Sequence, residues 1–418
     1  MPITNNPDIP LDNKQLRLYN SNGEYTRASV DETIARGHNA WKGWKCSAGV
    51  RGMYIDYDGN IWKANCFSTK LERFNRPGWK EKMKQFHFDN GNNSPTLFKQ
   101  QEEKLKKEFA MSGNGFRSYL SLEEGLGKQE GYVGNIYEGL DVPDEYVVCP
   151  FSNCGCGADV ILSKARTTKD IELLDVTHNN YAGTNRTQNY TQSIDDSVAV
   201  EMNFPIPYQI LWDISRRCNY DCTYCWPSVH NNKEGFPEFD RVIKTIDMMI
   251  DNWSNKEPIR WNFGGGEPTM HPQFIDIIKH LKSRNQWVLV TTNGARSTKF
   301  WTEASKYINS VNMSAHFASM DQFRGNEQRF IDNCKIIMQQ HNNVDDDHWL
   351  EIKLMVEPGY LDRALQLKQK IEDLGMLEQN GANGRMKGML SLVPLRSITD
   401  SSQLVGYSNN EIEYFSNQ

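Results

Sequence analysis

The sequence predicts an α/β protein: a partial (βα)6 TIM-like barrel preceded by a smaller α+β cysteine-rich domain with a β-hairpin. Three observations carry this. From residue 209 onward, short β-branched and aromatic runs alternate with helical periodicity through six strands, which implies right-handed crossovers and a parallel sheet. Six βα units are two short of a closed eightfold barrel, so an open one is expected. The first half lacks this alternation and holds five of the nine cysteines.

In chain order, 53–56 and 61–63 flank Tyr57-Asp58-Gly59-Asn60, a turn sequence suited to a hairpin. Two Lys/Glu-rich stretches between 79 and 109 read as exposed helices split by DNGNNSP, with a solvated face the simplest account of their charge. The polar stretch 167–197 is rich in Asn and Thr and reads as a linker or surface excursion. The resulting division is 1–166 cysteine-rich domain, 167–205 linker and 206–418 barrel. Barrel strands are expected at 209–214, 259–263, 287–291, 311–315, 352–356 and 389–393. Helices are expected near 238–253, 273–283, 298–307, 323–340 and 361–374, with a last one at 409–415. The first of these places Val242, Ile243, Ile246, Met249 and Ile250 on one face.

The 418 residues carry a net charge of −6, with 38% hydrophobic and 24% charged residues. Such a chain buries a core, and its mild acidity gives no clear sign of nucleic-acid binding by bulk charge. The start, MPITNNPDIPLDN, has neither the basic nor the apolar region of a secretory signal, and no run of ~18 apolar residues occurs. No membrane partner and a cytoplasmic location are expected. Nine clumped cysteines in such a chain read as ligands before disulfides.

The sharpest pattern is Cys218-Asn-Tyr-Asp-Cys222-Thr-Tyr-Cys225, directly after the first barrel strand. One loop with this spacing can set three thiolates around a [4Fe–4S] cluster and leave one iron open. A zinc site with His230 as fourth ligand is the alternative. The next strands end in Gly264-Gly265-Gly266-Glu267-Pro268, in Thr292-Asn293-Gly294, and in Ser314 and His316. Strand C-termini are where α/β proteins place their ligands, and consecutive glycines let the backbone come close to one.

In these motifs the sequence resembles the radical S-adenosylmethionine (SAM) superfamily, from about residue 209 to the end. The resemblance implies that Cys218, Cys222 and Cys225 hold a [4Fe–4S] cluster whose open iron is chelated by SAM. It implies Tyr224 near the adenine and Gly265, Gly266 and Glu267 at the methionine amino group. Asn293, Ser314 and His316 would line the ribose and carboxylate side, with Val393 at the adenine edge. The reaction implied is reductive cleavage of SAM, driven by a one-electron reductant such as flavodoxin or ferredoxin, followed by hydrogen abstraction from substrate.

Cys46 and Cys66 bracket the hairpin, and Cys149, Cys154 and Cys156 follow later, so a second site takes four of these five. The hairpin resembles the auxiliary-cluster (SPASM and twitch) domains of that superfamily, but it precedes the barrel and lacks their later C-x2-C pair. A second [4Fe–4S] cluster is the first reading and structural zinc the second. Cys334 sits on an apolar helical face and reads as a core thiol. Asp345-Asp346-Asp347-His348 reads as a polar turn, and the tryptophans as core residues, apart from Trp226 beside the cysteine loop. Auxiliary clusters accompany peptide-modifying members most often, so the expected substrate is a peptide or protein residue. A dehydrogenation or rearrangement of a small molecule or nucleotide is the alternative. A non-catalytic zinc-and-cysteine binding module is the rival of another class, and it leaves Gly265, Gly266, Glu267 and Asn293 without a purpose.

Overall fold

The computed structural model describes residues 15–23, 25–29, 33, 41–67, 131–149, 162–170, 174, 197–202, 208–222, 224–225, 235–253, 257–322, 325–342, 348–375, 388–395, 404 and 406–416. The expected helices at 79–109, together with Cys154, Cys156, Trp226, His230 and Asp345–Asp347, lie outside them, as does most of 167–197.

The N-terminal half supplies β1 (Gln15–Tyr19), β2 (Tyr25–Ser29), β3 (Lys45–Cys46), β4 (Gly52–Ile55) and β5 (Asn60–Trp62). It continues with β6 (Tyr132–Asn135), β7 (Gly139–Leu140), β8 (Val147–Val148), β9 (Lys164–Ala165) and β10 (Ala199–Met202). The second half runs β11 (Tyr208–Ser215), α1 (Phe239–Asn252), β12 (Ile259–Gly265), α2 (Phe274–Ser283), β13 (Trp287–Thr292), α3 (Thr298–Ala304) and β14 (Ser310–His316). It ends with α4 (Phe317–Asp321), α5 (Asn326–Asn342), β15 (Trp349–Val356), α6 (Leu361–Glu372), β16 (Gly388–Pro394) and α7 (Asn409–Ser416).

From β11 to β16 the strands pair in sequence order and in parallel, the open barrel that the alternation implies. The hairpin departs from expectation. Instead of belonging to a separate domain, β4 pairs in parallel with β11, and β5, β6 and β7 extend the same ten-stranded sheet. A second, six-stranded sheet runs β2-β1-β10-β9-β3-β8. Part of the expected linker is thus a strand, since β10 pairs antiparallel with β1.

Why these segments hold is legible locally. Along α1, Val242, Ile246, Met249 and Ile250 recur at helical spacing and are buried against the sheet. Each such side chain contributes ~1.5–3 kcal/mol. Trp253 closes that helix and donates from Nε1 to Gly49 O at 3.0 Å, tying it to the N-terminal half. Helix α2 stops where Asn285 takes a left-handed conformation, φ 55°. Helix α3 starts at Ser297, whose Oγ accepts from Phe300 N at 3.3 Å.

Parallel strands covered on both faces usually read as unbroken apolar runs. Here burial alternates strictly along β14: Val311, Met313 and Ala315 are buried, while Ser310, Asn312, Ser314 and His316 are half-buried. The helix-facing side is the core, and the barrel's inner face is polar and open.

Candidate active site

Ser215 ends β11, and its Oγ accepts from Arg217 N at 3.0 Å, turning the chain into the cysteine loop. The buried Arg216 guanidinium lies 3.7 Å above the Tyr57 ring of the hairpin turn, so the N-terminal half clamps the loop's root. Gly266 N donates to Ser215 O and Glu267 N to Arg217 O, both at 2.7 Å. A Cβ on Gly265 would lie 2.3 Å from Ser215 O, and one on Gly266 would lie 2.2 Å from Arg217 O. Gly265 also has φ 104°. Glycine is therefore required at both positions, where two backbone segments of the chain meet, independently of any ligand. Gly266→Ala should cost at least ~2 kcal/mol through backbone displacement. Thermal unfolding followed by circular dichroism would test this; a midpoint equal to the wild type's would show that the close backbone contact at Gly266 does not demand glycine.

Glu267 is likewise engaged by the chain itself. It is buried, and its carboxylate is occupied by the protein: Oε1 accepts from Thr269 N at 3.1 Å, Thr269 Oγ1 at 2.5 Å and Thr292 Oγ1 at 2.9 Å, and Oε2 accepts from Asn293 N at 2.7 Å. Burial pushes its pKa up against the pull of these bonds. The side chain braces the end of β12 to the end of β13. Asn293, the next residue across, is also buried and engaged. Its Nδ2 donates to Asn219 Oδ1 at 2.8 Å and approaches Cys218 Sγ at 3.7 Å, and its Oδ1 accepts from Ala295 N at 3.0 Å. It holds the cysteine loop.

Cys218 Sγ also accepts from Tyr220 N at 3.4 Å. Burial nevertheless pushes its thiol up to about 12. Cys222 Sγ pairs with Ser319 Oγ of α4 at 3.2 Å, and burial raises its pKa as well. Cys225 closes the loop through its N–H to Cys222 O at 3.0 Å. Tyr224 stacks on His316, with ring centres 5.9 Å apart, and its hydroxyl meets His316 Nδ1 at 2.5 Å. Burial lowers His316 to about 4, so the ring is neutral at pH 7. His316, Met355 and Val393 form one row across β14, β15 and β16, with Ser314, Lys353 and Ser391 in a parallel row. The structure thus gathers Cys218, Asn293 and the glycine run on one side of the rim, and Cys222, Tyr224, His316 and Val393 on the other.

The residues suit a cluster at this rim. The donor set is three thiols on one loop, and two of the sulfurs already have hydrogen-bonding partners of the kind that tune Fe–S centres. Among the described residues no three His, Cys, Asp or Glu side chains close around a single metal ion. Cys334 is buried in α5 against Met313 Sδ at 3.6 Å, a core thiol as expected.

Of the other cysteine set, Cys46 is buried on β3 with Ala48, Ala64 and Leu162, and Cys66 packs against the same group. Cys149 lies beside β3, its N–H donating to Trp44 O at 2.7 Å. Both hairpin cysteines lie at the N-terminal edge of the barrel sheet, because β4 runs parallel to β11 and β5 returns antiparallel. Gln209, opposite Gly52, and Ser215 are six residues apart, so the two cysteine sets are separated by roughly 20 Å along the strands.

Four supporting residues were not singled out from the sequence. Ser319 gives no local signal, since only the fold brings it to the loop, and Asn219 lies in the loop but is marked by no spacing of its own. Thr269 and Thr292 do: an acid before Pro268, followed by Thr269, is a helix-cap pattern, and Glu267 caps the short 3-10 turn Pro268–Met270.

Residues 212–343 match the Radical SAM superfamily. The chain is similar to the antilisterial bacteriocin subtilosin biosynthesis protein AlbA of Bacillus subtilis, 24% identical over 226 residues, covering 51% of this chain and 48% of that one. It is 32% identical over 110 residues to the tungsten-containing aldehyde ferredoxin oxidoreductase cofactor-modifying protein of Pyrococcus furiosus, covering 26% and 29%. A GTP 3',8-cyclase of Haemophilus influenzae is 30% identical over 112 residues, covering 26% and 32%. The chain spans about half or less of the length of these curated relatives.

Proposed function

The chain belongs to the radical SAM superfamily through residues 212–343, and from that premise we propose an enzyme that abstracts hydrogen from a residue of a peptide or protein. Cys218, Cys222 and Cys225 would hold the [4Fe–4S] cluster of this family, with SAM beside it. Bound there, the two would supply reductive cleavage of SAM and the hydrogen abstraction that follows. The chain's own residues arrange the site. Asn293, Tyr220 and Ser319 hold the cysteine loop, and Glu267 fixes the rim on which Asn293 stands. The Tyr224–His316 pair makes a flat neutral wall suited to an adenine, with Ser314 and Val393 beside it. The observation that carries the proposal is the three-cysteine loop at the C-terminal end of β11, clamped from β13 and α4.

Anaerobic incubation of reconstituted protein with SAM and dithionite should yield 5′-deoxyadenosine. Absence of that product from a protein with full cluster iron would refute the reading. A one-electron donor such as flavodoxin or ferredoxin would replace dithionite in the cell.

The peptide substrate is supported by the similarity to AlbA, which extends over 226 residues, and by the hairpin cysteines. Four of Cys46, Cys66, Cys149, Cys154 and Cys156 supply a second [4Fe–4S] cluster, zinc being the alternative. The match to GTP 3',8-cyclase favours a nucleotide as the second substrate class, and mass spectrometry of peptide and nucleotide mixtures after turnover separates the two.

Cys46→Ala with Cys66→Ala should remove about four irons per chain, or about one zinc, while sparing SAM cleavage at the rim roughly 20 Å away. Metal analysis decides: a double variant with its full metal content would show that the hairpin is not a ligand source.

A further inference from the structure

At the floor of the barrel, Gly52–Tyr54, Gln209–Leu211, Arg260 and Asn262 line a small recess, closed from the N-terminal half by Ala64, Asn65 and Leu162. Arg260 and Asn262 alternate along β12 on the barrel's inner face, and Gln209 is the register neighbour of Arg260 on β11. Asn262 Oδ1 is buried without a hydrogen-bond partner. Among the described residues no carboxylate pairs with Arg260, and no side-chain hydrogen bond engages Gln209, Arg260 or Asn262. We propose that this recess is the anchor for a substrate carboxylate, held by the Arg260 guanidinium with the Asn262 and Gln209 amides. The proposal rests on the peptide reading above and names the group by which the peptide is gripped.

The chemistry of the recess selects the anion. A guanidinium drawn out of water without a counter-charge is costly, and burial alone lowers Arg260 to about 10. Its planar fork matches a carboxylate with two parallel hydrogen bonds. A half-turn of either amide presents a further donor. One carboxylate neutralises one guanidinium, whereas a phosphate dianion would leave excess charge against Leu162, Leu211 and Ala64.

The strand also sets a length. Arg260 and Gly265 are five residues apart, roughly 16 Å of strand. A single amino acid gripped at the floor falls short of the rim. An extended peptide of about four or five residues, at ~3.3–3.6 Å each, spans the distance. Ala64 and Leu162 pack with Cys46, so the anchored end lies beside the N-terminal cysteines.

The test is binding to the full reconstituted chain without SAM or reductant, by ligand-detected NMR, with four N-acetylated pentapeptides as probes. These are penta-alanine as free acid and as amide, and the amide of Ala-Ala-Glu-Ala-Ala with its Gln counterpart. A carboxylate anchor makes one acid bind about tenfold or more tightly than its neutral partner. Preference for the terminal acid identifies a C-terminal anchor, and preference for the Glu peptide a side-chain anchor. Arg260→Met should abolish the preference, and Arg260→Lys should retain part of it. Equal binding of both acids and their neutral partners by the wild type overturns the proposal without need of any variant. Inorganic phosphate displacing the bound acid at lower concentration than acetate does would also overturn it. Because SAM is absent, this result is independent of turnover: carboxylate binding with no modified peptide would count against the peptide reading and leave the anchor standing.

Discussion

A variant in which Cys218, Cys222 and Cys225 are all alanine should form no detectable 5′-deoxyadenosine and contain about four fewer irons per chain. The loss is expected to be complete because, among the described residues, no other accessible thiol stands at the rim. The remaining described cysteine of the barrel, Cys334, is buried in α5, and burial raises its pKa, which disfavours the thiolate a metal needs. The fold should survive. Cys218 and Cys222 are only partly buried at the margin of the core, so their truncation leaves the packing of Trp212, Trp261 and Phe263 untouched. Far-UV circular dichroism should therefore match the wild type while iron and product vanish. Product formation by the triple variant at the wild-type rate would end the cluster assignment.

The barrel was legible because its signals are local and periodic. Alternation in 310–316 and the helical face of Val242, Ile246, Met249 and Ile250 each point to one element without help from distant residues. The hairpin was legible too, through the turn at Asp58-Gly59, but its partner was not. Nothing in the sequence of 52–55 says that it pairs with 209–212 more than 150 residues away, since a short buried strand carries no record of its neighbour. The site divides in the same way. The cysteine loop and the glycine run could be read because their spacing is itself chemical. The backbone crossing at the glycines could not: a Gly beside a ligand and a Gly beside a carbonyl of its own chain look identical in sequence, and the 2.2 Å clearance at Arg217 O is visible only in the fold. The same holds for Arg260, an ordinary charge in an alternating strand until its burial, with no carboxylate paired to it among the described residues, and the recess are seen together.

Glu267→Gln should destabilise the barrel and weaken SAM binding together, because the carboxylate is a brace. Both of its oxygens accept from backbone N–H groups, Thr269 N on one and Asn293 N on the other. An amide places an NH2 where one of those acceptors stood, so one buried backbone donor loses its partner and a second donor faces it. A buried donor left unsatisfied costs ~1–3 kcal/mol, more where a charged acceptor is lost, so a loss of ~2–4 kcal/mol is expected. At ~2–4 °C per kcal/mol for a unit of about 200 residues, the unfolding midpoint should fall by ~4–16 °C. Asn293 hangs on that bond and in turn holds Asn219 beside Cys218, so the disturbance reaches the cysteine loop. The two possible roles of Glu267 predict different patterns. A residue that only contacts ligand would lower SAM affinity and leave the ligand-free midpoint unchanged. A brace lowers the midpoint without SAM present, and Thr292→Val, which removes one donor to the same carboxylate, should reproduce part of that fall. Scanning calorimetry of the ligand-free protein distinguishes them, and a Glu267→Gln midpoint within one degree of the wild type's would return the side chain to the ligand.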